Sequence, residues 1–117
     1  MTRTMIHALA AATLLAAPLA ARAEAPAGDP ARGKATFMKQ MCSACHGTVG
    51  QGSQYGPRLA PQPFPWEAFE HQVRTPRSSM PPYAPRYLAD AELADVYAYI
   101  ASIKPGKKAS EIPLLNQ

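Results

Sequence analysis

Cys42-Ser43-Ala44-Cys45-His46 places two thiols three residues apart and an imidazole directly after the second. On a helical turn, residues three apart share a side, so both sulfurs project the same way with the histidine next to them. Four chemistries use such a pair: a dithiol redox couple, a zinc site, a local disulfide, and covalent attachment of haem through C-x-x-C-H. The surrounding sequence has to choose between them.

Upstream, Asp29-Pro30 reads as a helix N-cap followed by proline at the first helical position, where its missing N–H does no harm. Gly33, Phe37 and Met41 then recur at four-residue intervals, predicting one packed stripe that runs straight into Cys42. Downstream, four glycines (Gly47, Gly50, Gly52, Gly56) and four prolines (Pro57, Pro61, Pro63, Pro65) forbid a long regular element between residues 47 and 65. A second helix is expected from about Pro65 to Arg74 with Trp66, Phe69 and Val73 on one side, ended by Thr75-Pro76. After a loop over residues 76–87, a third helix should start near Ala89 or Asp90. It carries Leu93, Val96, Tyr97, Ile100 and Ile103 on one face until Lys104-Pro105-Gly106 stops it. No strand pattern and no internal repeat appears, so the fold class is all-α. Residues 107–117 read as a loosely held tail.

The N-terminal stretch reads as an export address. Arg3 and His7 form a short positive start, Ala8 to Ala20 is apolar, and Ala21-Arg22-Ala23 presents small residues at the two positions a signal peptidase inspects. The apolar run is about a dozen residues where a membrane span needs about 20. Residues 1–23 are therefore expected to be a cleaved signal peptide, with cleavage after Ala23 and a soluble protein delivered to the periplasm. Residues 24–106 form the expected domain, with 107–117 as its tail.

The precursor has 117 residues, and removing that segment leaves one small domain. Apolar residues make up 47 per cent, enough to fold, yet 13 prolines against three Phe, five Tyr and one Trp leave little aromatic bulk for a core. Domains of this size lean on a disulfide, a metal or a cofactor. The formal charge of +4 includes Arg3 and Arg22, so the processed chain has ten basic against eight acidic residues. That excess is small and scattered, and no nucleic-acid motif is present, which sets nucleic acid aside as a partner.

In this setting the thiol pair reads as haem attachment. A dithiol redox motif belongs to an α/β pattern this chain lacks. Zinc needs four ligands, and beyond the cysteines only His46 and His71 are at hand. A disulfide between Cys42 and Cys45 closes too small a loop to stabilise much. Thioethers from Cys42 and Cys45 to the two vinyl groups of one haem put His46 beneath the iron as its imidazole ligand. Met80 is the candidate for the other face, because Ser79-Met80-Pro81-Pro82-Tyr83 holds it in a loop stiffened by proline. A neutral thioether favours ferrous iron and raises the reduction potential. Met38 and Met41, on the helix leading into the attachment site, read as core filler. His71 is the rival ligand, but it lies off the Trp66, Phe69 and Val73 stripe and reads as a surface histidine.

These residues resemble the small soluble class I cytochromes c. The likeness rests on Gly33 and Phe37, Cys42-Ser43-Ala44-Cys45-His46-Gly47, Gly56-Pro57-Arg58-Leu59, Met80-Pro81, and a last helix ending Val96-Tyr97-Ala98-Tyr99-Ile100. It implies three to five helices around one covalently bound haem c, with the first and last helices crossing near Gly33 and Tyr97. It also implies that the Pro57 carbonyl accepts a hydrogen bond from the free ring nitrogen of His46. One departure is visible: the family's last helix often opens with Ser or Thr in a capping box with Glu three residues on, whereas here Ala89 precedes Glu92. Either Asp90 caps instead or that end frays.

With both axial positions filled by protein the iron has no vacant site, so the expected function is one-electron transfer without substrate turnover. The implied partners are a protein donor and a protein acceptor. Arg58, Arg74, Arg77 and Arg86 are candidates to hold propionates or meet an acidic partner, set against a reading as solvated loop charge. Trp66 and Tyr55 could donate to a propionate, although packing is the expected role of Trp66. Val49, Pro81 and Tyr83 suggest an apolar docking patch. Two other functions stay open. One is a cytochrome subunit bound to a periplasmic dehydrogenase, since the Met80-Pro81 stretch and the helix after it are similar to the small cytochrome partners of flavin-dependent phenol-oxidising enzymes. The other is a haem enzyme or gas sensor with a labile sixth ligand.

Overall fold

The computed structural model describes residues 24–116, so the expected signal peptide lies outside the described residues. Among the described residues four α-helices follow one another: α1 (Pro30–Lys39), α2 (Cys42–His46), α3 (Trp66–Arg74) and α4 (Asp90–Ser102). Among the described residues the only β pairing is an isolated bridge between Ser53 and Gly56. Two short 3-10 turns, Ala109–Glu111 and Pro113–Leu115, follow α4. No helix among the described residues is long and apolar enough to cross a membrane.

α1 starts where its cap chemistry requires. The Asp29 carboxylate accepts from the Arg32 N–H at 2.8 Å and Pro30 opens the first turn. Gly33 and Phe37 are buried as the stripe predicts. Met41 leaves that stripe. α1 ends at Lys39, and Met41 adopts a left-handed backbone (φ 61°) that turns the chain into α2, leaving its side chain 66 per cent exposed. A left-handed residue breaks the helical register, so the four-residue periodicity stops at Phe37.

The packing of α1 against α4 is the main helix contact of the fold. It forms at Gly33, where a Cβ would overlap the Asp95 carbonyl oxygen and come within 2.9 Å of the Tyr99 Cβ. The crossing is therefore made by Asp95 and Tyr99, and the expectation of Tyr97 is corrected. Residues 95 and 99 are four apart and share a helix face, whereas residue 97 points roughly 200° from residue 95. Tyr97 instead stacks edge-on against Trp66, 5.4 Å between ring centres, and donates its hydroxyl to the Phe64 carbonyl. Tyr99 packs against Phe37 at 5.6 Å and donates to the Thr48 carbonyl. These two tyrosines tie α4 to the long loop on two sides.

A buried carboxylate closes the same crossing. Asp95 accepts from the Asp29 N–H at 2.6 Å and from the Arg32 guanidinium at 2.8 and 2.9 Å. Those bonds, the Arg32 side chain foremost, hold the Asp95 carboxyl below its ordinary value. The unfolded chain lacks them, so this stabilisation is complete above the ordinary carboxylate range and is lost as the pH falls through the folded value. Asp95→Asn should thus be destabilising near about pH 7 and less so near about pH 3, already below the ordinary carboxylate value of about 3.9, where part of the wild-type stabilisation has been lost. Denaturant midpoints of both proteins at the two pH values check this; an equal gap at both would contradict it.

α3 buries Trp66, Phe69 and Val73 as its stripe predicts. On α4, Leu93, Val96 and Ile100 are buried with Ala94, Asp95 and Tyr99, while Tyr97 and Ile103 are half-buried. The start of α4 follows neither route expected for it. The Glu92 carboxylate accepts from the Ala89 N–H at 2.9 Å, so the Glu half of the box forms without its partner, since an alanine side chain has no acceptor. Asp90 does not cap, because its carboxylate binds Arg74.

Candidate functional site

The short helix α2 is held in place by the loop that follows it. The Gly47 N–H donates to the Ser43 carbonyl, the Gly52 N–H to the His46 carbonyl at 2.8 Å, and the Ser53 hydroxyl to the Cys45 carbonyl at 2.6 Å. His46 is buried, and its Nδ1 lies 2.7 Å from the Pro57 carbonyl oxygen. A carbonyl accepts only, so Nδ1 carries the proton and donates, and Nε2 is left with its lone pair for a metal. Gly56 makes room for this pairing: a Cβ there would sit 3.1 Å from both Nδ1 and Cε1 of the ring and 3.0 Å from the Cys45 carbonyl oxygen.

α2 forms part of the wall of a cavity of about 620 Å³, within the range of about 300–1,000 Å³ in which ligand sites fall. Phe37, Leu88, Leu93, Val96 and Ile100 supply apolar wall from α1, α4 and the turn before α4. Cys42, Cys45, His46 and Met80 all line this same space. His71 does not: it is exposed on α3, as a surface histidine should be. The two cysteines are not bonded to each other. Burial pushes the Cys42 thiol up to about 11, opposite to the lowered value that a thiol–disulfide catalyst needs. Two unpaired thiols, one imidazole with a fixed tautomer, one thioether and a large apolar cavity fit a haem.

Residues 28–100 match the family model described as cytochrome c oxidase, cbb3-type, subunit III. The chain belongs to this family of c-type cytochrome domains. No curated protein matches it. The family and the four helices establish an all-α cytochrome c fold, and with it haem c as cofactor and haem-based electron transfer as the activity.

The remaining expected residues of the cytochrome domain fall into distinct places. Arg77 and the exposed Tyr55 line the large cavity. Arg58 borders a smaller recess of about 90 Å³ with Leu59 and Phe64. Arg86 lies over the Tyr87 ring, 4.5 Å from its centre. Trp66 is buried among Phe69 and Tyr97, so packing is its role. Met38 is half-buried against the core, whereas Met41 lines the cavity instead of filling the core. In the suggested docking patch Val49 is exposed, but Tyr83 is half-buried and its hydroxyl donates to the Gln40 carbonyl. Arg74 does not line the cavity: its guanidinium turns inward onto the Tyr83 and Leu88 carbonyls.

One residue at the site was not singled out in the sequence. Gln72 lines the cavity and its Nε2 donates toward the Met80 sulfur at 3.8 Å. Its trace was available, since a polar side chain three residues after Phe69 and next to Val73 stands beside the buried face of α3.

Proposed function

We propose that this cytochrome is a periplasmic one-electron carrier in which Cys42 and Cys45 hold a single haem c, with His46 and Met80 as its axial ligands. The observation that carries the reading is the convergence of those four side chains on one apolar cavity. When bound, haem supplies the ferric/ferrous couple, one electron at a time.

The chain's own residues explain why such a centre would transfer electrons and do little else. Pro57 fixes the His46 tautomer and ring plane through its carbonyl, so that ligand does not have to reorient between oxidation states. Gln72 donates to the sulfur of Met80 and aims it. Phe37, Leu93 and Ile100 exclude water from the cavity, and a drier surrounding disfavours the extra positive charge of the ferric state. A neutral thioether acts in the same direction.

Intact-mass analysis of the protein purified from its native host tests this reading. The expected mass is that of a chain beginning at Glu24 plus one haem, with the colour retained after acidic acetone extraction. An unprocessed chain, or one with two free thiols, would contradict it.

A second reading is favoured by the matched family, whose description is that of an oxidase subunit: the protein works as a tightly bound subunit of a larger redox enzyme, the periplasmic dehydrogenase being the case weighed in the sequence. Gel filtration of a native extract separates the two. A free carrier elutes at its own size, and a subunit elutes with its enzyme.

A further inference from the structure

Met80 lies in the stretch between α3 and α4, residues 75–89, which contains no helix. A ligand on such a segment stays near a metal only if the segment is tied down, because ordering free residues costs conformational entropy. Part of the tying is done by Gln40, just after α1, and by the body of α3. The Tyr83 N–H donates to the Val73 carbonyl at 3.0 Å, its hydroxyl to the Gln40 carbonyl at 2.8 Å, and the Gln40 amide to the Tyr87 carbonyl at 2.8 Å. None of these bonds joins the segment to α4.

Arg74 does. It is the last residue of α3, and its side chain is only 15 per cent exposed. One nitrogen, Nη1, donates to the Tyr83 carbonyl at 2.8 Å and to the Leu88 carbonyl at 2.7 Å, while Nη2 meets the Asp90 carboxylate at 2.5 Å. A single planar fork thus gathers the residue three positions after Met80, the buried Leu88 at the cavity wall, and the first residue of α4. Lysine would keep the charge, but its ammonium is a compact point charge without a planar fork.

From this geometry we infer that Arg74 is a positioning residue for the methionine ligand: by pinning both ends of residues 83–90 it limits how far the Met80 sulfur can move from the iron. The inference rests on the proposed ligation by Met80. It assigns Arg74 a role in the redox site although its side chain does not line the cavity. What it controls is how easily the sixth ligand is displaced.

The test is imidazole titration of the ferric holoprotein, following the weak far-red absorption band of sulfur-bound ferric iron. Arg74→Lys should keep the haem and the helical content but lose half the band at an imidazole concentration on the order of tenfold lower than wild type, as expected for losing one or two buried hydrogen bonds to the segment. Asp90→Asn removes only the outer arm of the fork, at a side chain 73 per cent exposed. It should shift the midpoint two- to fivefold, roughly the effect of a surface ion pair, and it decides the matter if Arg74→Lys does not fold. Ile103→Ala, at the far end of α4, weakens packing without touching the segment and should leave the titration unmoved. The inference is overturned if the folded Arg74→Lys titrates like wild type, if Asp90→Asn does so where Arg74→Lys is unfolded, or if Ile103→Ala shifts the midpoint as far as they do. A far-red band that survives Met80→Ala would instead overturn the ligation reading, and the role of Arg74 with it.

Discussion

Met80→Ala is expected to abolish the far-red band of the ferric protein and to let the ferrous protein bind carbon monoxide at neutral pH, while the haem stays attached. The side chain removed lines the cavity shared with Cys42, Cys45 and His46, and the Gln72 amide donates toward its sulfur. Met38 is packed against the core, and Met41 is itself the left-handed residue that leads into α2, so neither has the proline-stiffened loop placement of Met80. The attachment half of the site is independent of this change, because Cys42, Cys45 and His46 belong to α2 and to the hydrogen bonds of residues 47–57. The reduction potential should fall, since a neutral soft ligand that favours ferrous iron is gone. Carbon monoxide difference spectra of wild type and variant check the first part. Tight binding by the wild type would move the protein toward the gas-sensor reading.

Gly33→Val is expected to destabilise the fold by about 3 kcal/mol, near the upper end for overpacking a well-packed contact. Any Cβ at residue 33 overlaps the Asp95 carbonyl oxygen, and backbone yields less readily than the end of a flexible side chain. The helices would have to separate at the point where Asp95 also collects the Asp29 N–H and the Arg32 guanidinium, so packing and hydrogen bonds are lost together. For a domain of this size the corresponding fall in melting temperature is about 12–24 °C. Thermal unfolding of the holoprotein measures it. A shift below about 4 °C would mean that the crossing is loose and that Gly33 is not what brings the helices together.

Most of the architecture could be read because its boundaries are set by residues with strong local chemistry. Asp29-Pro30 starts α1, Thr75 closes α3, and α4 ends just before Lys104-Pro105-Gly106. The thiol pair and His46 were legible for the same reason, their spacing being itself the geometry. What escaped was geometry that leaves no periodic mark. Met41 continues a four-residue repeat on paper, and only its left-handed backbone removes it from the stripe. Tyr97 and Tyr99 are alike in chemistry and both pack on aromatic neighbours, so hydropathy cannot say which one meets Gly33. Arg74 stood between a propionate or partner role and loop charge because two of its three partners are main-chain carbonyls, groups that every residue carries. Gln72 was passed over because a single polar residue at the edge of an apolar face has no signature until the sulfur it meets is in place.

The absorption spectrum of the purified ferric protein tests the central claim most directly. Ligation by His46 and Met80 predicts a weak far-red band at neutral pH that disappears on reduction. A ferric spectrum without that band, in protein whose haem is covalently attached, would contradict the account of this site.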